Sequence, residues 1–150
     1  MKYLEENNLI NDNKQKAEDI RIFALYTFII ITFFTIILFL INNKFYDKLY
    51  LLSCIIVQLF SISSIYFNKK YFLSLLNKFF TVLIVIGILF ITTKNILLTI
   101  LFVLIVTLIS RNYLKSCLFF YWDNSEYNII SDVGYFLLLI INLYKILYVK

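Results

Sequence analysis

Residues able to do chemistry are few in this chain and widely spaced. Histidine is absent, which removes imidazole metal sites, Ser-His triads and a general base that titrates near neutrality. The two cysteines, Cys54 and Cys117, do not form the Cys-x-x-Cys pair that characterises membrane thiol oxidoreductases. Asp123, Glu126 and Asp132 are the one acidic cluster beyond the N-terminal segment. Carboxylates can hold a hard cation or work as acid and base, but nothing in this spacing fixes a geometry, and a solvated loop ending in a helix cap is the expected use. No residue is therefore assigned to catalysis, to a cofactor or to a metal, and the chain is not read as an enzyme.

A second set of polar residues has helical spacing. Cys54, Gln58 and Ser61 recur at i, i+4 and i+7, so a helix carries them on one face. Thr99, Val103, Thr107 and Ser110 make a comparable small or hydroxylated stripe further along. Small residues let helix backbones approach, and a buried amide or hydroxyl between helices finds a partner worth about 0.6 to 2 kcal/mol. Helix packing is the expected role of Cys54, Gln58, Ser61, Thr99 and Thr107, and equally of Gly87 and Asn142. The other reading is a wet path or ligand groove lined by the same face.

The elements that carry these residues are set by hydrophobicity. Of the 150 residues 62% are hydrophobic and 15% charged, and the mean hydropathy is +0.87. A globule of this size has too little interior to hide so much apolar surface, whereas lipid accepts it. An uncharged run of 22 residues from Ile22 to Asn43 matches the roughly 20 that cross a bilayer as a helix. A second, Leu49 to Asn68, follows a loop at Asn42–Lys48 that holds Lys44, Asp47 and Lys48. β-branched Ile and Thr are abundant, but hydrocarbon does not tolerate open strand edges, so helix is expected. The run from Phe79 to Ser110 is too long for one span, and Thr92, Thr93, Lys94 and Asn95 read as the tip of a hairpin.

These signals predict an all-α polytopic transmembrane bundle with spans near 22–42, 49–67, 75–93 and 96–112. Residues 1–21 form a polar N-terminal segment with four basic and five acidic side chains, without the layout of a cleaved secretory signal. Residues 113–132, rich in Tyr, Phe and Trp122, have the composition of a headgroup-level belt. A last helix over 133–149, which Ser131 or Asp132 could cap, is either a short fifth span or a re-entrant element. Lys145 lies near enough to its end to reach an interface.

In that topology Cys54 and Cys117 stand about 20 Å or more apart across a core of about 30 Å, too far for a disulfide. Cys54 is expected to be buried and structural, and Cys117 free or acylated at an interface. The spans hold no ionisable group near their centres and, Gly87 aside, no Gly or Pro break, which disfavours a coupled transporter.

Basic residues set the orientation. With the N-terminus cytoplasmic, the inner side collects nine Lys/Arg through the fourth span and the outer side three, Lys44, Lys48 and Lys94. The net charge of +5 is scattered between apolar runs, so lipid headgroups and not nucleic acid are its expected partners. The functional expectation is a small non-catalytic accessory, assembly or immunity-type membrane protein that packs against other membrane subunits or itself. The alternative is an oligomeric channel or small-solute transporter lined by the polar face of the second span.

Overall fold

The computed structural model describes residues 2–114 and 129–148, with side chains for 18–112 except 70 and for 133–148. These residues fold as five helices: α1 (Lys2–Ile41), α2 (Phe45–Tyr66), α3 (Lys70–Phe90), α4 (Lys94–Leu114) and α5 (Ile129–Tyr148). No strand occurs among them. Four segments are long and apolar enough to cross a membrane, Glu18–Ile41, Phe45–Tyr66, Tyr71–Phe90 and Lys94–Asn112. The architecture is that of a multi-pass α-helical membrane protein. Large apolar side chains face outward along every helix, as with Phe33, Phe60, Phe90 and Leu147, a distribution that lipid stabilises and water opposes.

The polar N-terminal segment continues into the first span without a break. At 40 residues α1 is about 60 Å long, twice a bilayer core of about 30 Å, so its first half extends beyond the hydrocarbon. Near the start of the apolar part Arg21 is ion-paired with Glu18 one turn earlier.

Consecutive helices pack as antiparallel neighbours, α1 on α2, α2 on α3, α3 on α4 and α4 on α5. The contact of α5 with α3 makes α3 the shared element of the bundle. Its core runs through Phe28, Ile65, Ile84, Ile88, Leu97 and Leu104, and Phe28 meets Phe80 edge to face with ring centroids 6.0 Å apart.

Each turn has a local cause. After α2, Asn68 takes a left-handed φ of 54°, which Asn tolerates better than most residues. The N–H groups of Phe67 and Lys69 then close on the carbonyls of Ser63 and Ser64. At the α3/α4 hairpin the Ile91 N–H closes on Gly87, and the Thr93 carbonyl accepts from Ile96 and Leu97 to open α4. The Thr92–Asn95 tip expected from sequence is there, although Lys94 and Asn95 already belong to α4.

Three boundaries differ from the sequence reading. α2 starts at Phe45, so Asp47 and Lys48 lie in its first turn and not in a loop. α3 starts at Lys70, ahead of the span expected near 75, because no helix breaker separates Tyr71–Lys78 from the apolar run. α5 starts at Ile129, which puts Ser131 and Asp132 inside its first turn, not at a cap preceding residue 133. The 113–132 belt is thereby shortened at both ends, and its 115–128 portion lies outside the described residues.

The short last helix runs the length of the bundle. Near its start, Tyr135 lies under the Arg111 guanidinium, 5.6 Å from the ring centroid, and its hydroxyl is 3.1 Å from that of Thr81. Near its end, the Lys145 ammonium donates to the carbonyls of Ile88 (2.6 Å) and Leu89 (2.9 Å). Those carbonyls belong to the last turn of α3, where a helix leaves acceptors without intrahelical partners and where positive charge is favoured. Lys145→Met should lower the stability of the detergent-solubilised protein by about 0.5 to 2 kcal/mol, and Lys145→Arg should retain most of it, read as thermal midpoints.

Candidate functional site

Cys54, Gln58 and Ser61 all point into the bundle and are buried, as are Thr107 and Ser110 on α4. Hydroxyl groups of the two stripes are mostly satisfied within their own helices. Ser61 donates to Val57 (2.8 Å), Thr99 to Asn95 (3.0 Å) and Thr107 to Val103 (2.8 Å), each a carbonyl one turn back. Thr27, Thr32, Thr35, Ser53, Ser64 and Thr81 do the same, which is how a Ser/Thr-rich chain meets hydrocarbon without stranded donors.

Gln58 makes the bond that leaves its helix. Its Nε2 donates to Thr35 Oγ1 of α1 at 3.3 Å. Because the Thr35 hydroxyl proton is directed at the Ile31 carbonyl (2.8 Å), Thr35 can only accept from Gln58, and this fixes the orientation of the amide. Gln58 Oε1 is left without a donor among the described residues.

The α2 and α4 stripes do not pack on each other as directly as their matching spacing suggests. They face across a cavity of about 40 Å³ whose walls include Thr35, Cys54, Gln58, Phe80, Thr99 and Val103. That volume accommodates about two or three waters. Ser61 and Thr107 lie outside it, packed between helices. Cys54 is a free, buried thiol one turn after Tyr50 on α2.

Gly87 and Asn142 both sit at helix contacts. A Cβ on Gly87 would stand 2.8 Å from Tyr50 Cζ and 2.5 Å from Ile100 Cδ1, so any side chain here requires the Tyr50 ring of α2 and the Ile100 side chain of α4 to shift. Asn142, fully buried on α5, donates through Nδ2 to the Leu97 carbonyl of α4 at 3.0 Å.

One functional group escaped the sequence reading. Asp47 is 4% exposed, and its carboxylate accepts from the Asn42 amide (3.1 Å) and from the Thr93 hydroxyl. Asn42 in turn accepts the Lys44 N–H at 3.0 Å, and Lys44 Nζ reaches Thr92 Oγ1 at 3.4 Å. These bonds join the α1/α2 turn to the α3/α4 turn. The available signal was an acidic residue within the first turn of an apolar helix, facing a Thr-Thr hairpin tip across the same interface.

No group of three or more His, Cys, Asp or Glu able to hold a metal occurs among the described residues. Cys117, Asp123 and Glu126 lie outside the described residues, as does the side chain of Asp132. Compared with known protein families, characterised proteins and solved structures, the chain matches none.

Two outcomes are expected from this geometry. Gly87→Ala should destabilise the solubilised protein by about 1 to 3 kcal/mol through overpacking, and adding Tyr50→Leu should recover part of the loss. Asp47→Ala should cost about 1.5 to 3 kcal/mol, the range for hydrogen bonds to a charged group, and Asp47→Asn less, both read by thermal unfolding in detergent.

Proposed function

We propose that this protein is a non-catalytic accessory, assembly or immunity-type membrane protein that acts by packing its helices against membrane partners. One observation carries the reading. Most polar groups inside the bundle are committed to its own architecture, Gln58 Nε2 to Thr35, Asn142 Nδ2 to Leu97, Asp47 to Asn42 and Thr93, and the hydroxyls to carbonyls one turn back, with Gln58 Oε1 and Asn142 Oδ1 the buried side-chain atoms left without a partner among the described residues. What remains for a partner is an outer face of Phe, Tyr, Ile and Leu, with aromatic side chains such as Phe23, Tyr26, Phe33 and Phe34 along α1.

The second reading, an oligomeric channel or small-solute transporter lined by the polar face of α2, draws on the cavity at Gln58. That face is turned into its own protomer, so a path along it would run within one chain. The N-terminus is proposed to be cytoplasmic, which puts the turns holding Lys44, Lys48 and Lys94 on the opposite side.

Gentle detergent extraction of the tagged full chain should retain a second membrane polypeptide, or a second copy, in a fixed ratio, and Gln58→Leu should separate the readings. Packing predicts no solute flux in proteoliposomes from either protein. Flux through the wild type that Gln58→Leu abolishes, with assembly unchanged, would establish the channel instead. For orientation, in a Cys54→Ser/Cys117→Ser background, Lys94→Cys should react with an impermeant maleimide in intact cells, and Lys69→Cys only after permeabilisation.

A further inference from the structure

We infer that the cleft between α1 and α4 binds one phospholipid of net negative charge, its acyl chain between the two helices and its phosphate at Lys44 and Lys94. The inference rests on placement in a membrane and on neither functional reading above. α1 packs on α2, and α4 on α3 and α5, which leaves α1 and α4 facing each other across open space. At membrane depth that space measures about 290 Å³ and is walled by Ile31 and Phe34 on one side and Leu98, Thr99 and Phe102 on the other. At the level of the turns it widens to about 390 Å³, and the walls become Asn42, Asn43, Lys44, Thr92, Lys94 and Asn95.

The two spaces are stacked along one groove. Ile31, Phe34, Leu38 and Ile41 recur at i, i+3, i+7 and i+10 on α1, and Asn95, Leu98, Thr99 and Phe102 at i, i+3, i+4 and i+7 on α4. Polarity along it follows the order found in a lipid, with charged and amide groups at the mouth and branched or aromatic carbon below. Charge at the mouth is one-sided. Asp47, the acidic residue of these turns, has its carboxylate engaged inward by Asn42 and Thr93, while Lys44 and Lys94 are exposed. Lys94 also opens α4, whose first N–H groups and dipole favour an anion at the same place. A zwitterionic headgroup would bring a cation against those lysines, so the fit is to a net-negative one such as phosphatidylglycerol, in the leaflet that meets these turns.

Native mass spectrometry of the full chain, released from mild detergent after incubation with phosphatidylglycerol, phosphatidylcholine or inorganic phosphate, tests this. One phosphatidylglycerol should remain per chain in preference to phosphatidylcholine. Its retention should fall about tenfold in Lys44→Gln/Lys94→Gln, persist in Lys44→Arg/Lys94→Arg, and be lost in Leu98→Trp, which fills the cleft. Lys69→Gln/Lys78→Gln, removing equal charge at the opposite end, should change nothing. Equal retention of phosphatidylcholine, equal loss in that control, inorganic phosphate displacing the lipid, or a polypeptide in the cleft that Leu98→Trp releases would each overturn the assignment. Should the Gln pair fail to fold, the wild-type preference between lipids and the Leu98→Trp result decide it alone.

Discussion

Hydrocarbon offers no hydrogen-bond partners, and each polar atom carried into it has to bring its own. The chain meets most of that demand in two ways, Gln58 Oε1 and Asn142 Oδ1 being the exceptions among the described residues. Its many Ser and Thr residues sit at positions where the hydroxyl bends back to a carbonyl of the same helix, so they act as small space-fillers of modest polarity. Longer amides bond instead to a neighbouring helix, and the one buried carboxylate among the described residues, that of Asp47, bonds to the two turns beside it. Helical periodicity therefore separates groups that need a neighbour from groups that do not, and the bundle is arranged around the former.

Asp47 has the largest consequence for geometry. By holding Thr93 it ties the α1/α2 hairpin to the α3/α4 hairpin at one end, while lower down residues of α2 and α4 line the small cavity at Gln58. α1 and α4 thus become the two walls of a groove and not a packed pair. The lysines and the groove belong together because the same turns that carry Lys44 and Lys94 are the ones Asp47 fastens.

Helix number, helix type and three of the turns were legible in the sequence because they depend on run length and on charged or Asn breaks, which are local quantities. That Cys54, Gln58 and Ser61 share one helix face was legible too, since spacing alone defines a face, but not that this face turns inward. Nor were their partners legible. Gln58 faces Thr35 in preference to the similarly spaced stripe on α4, a choice set by which helix pairs are neighbours and invisible to periodicity. Asp47 was misplaced because a charged residue between two apolar runs ordinarily marks a loop. Its burial depends on a hydroxyl 46 positions away. The length of the last helix was underestimated for a related reason, since its first turn contains Ser131 and Asp132, residues that in isolation end an apolar run.

Lys145 makes α5 the cover of the α3/α4 hairpin tip. The hairpin formed by α3 and α4 has no side-chain donor of its own at the carbonyls of Ile88 and Leu89, which belong to the last turn of α3. α5 supplies both covers, the Asn142 amide to the Leu97 carbonyl and, one turn further on, the Lys145 ammonium to those of Ile88 and Leu89. A chain cut before residue 142 would therefore keep the hairpin but lose the donors that α5 brings to both of its arms.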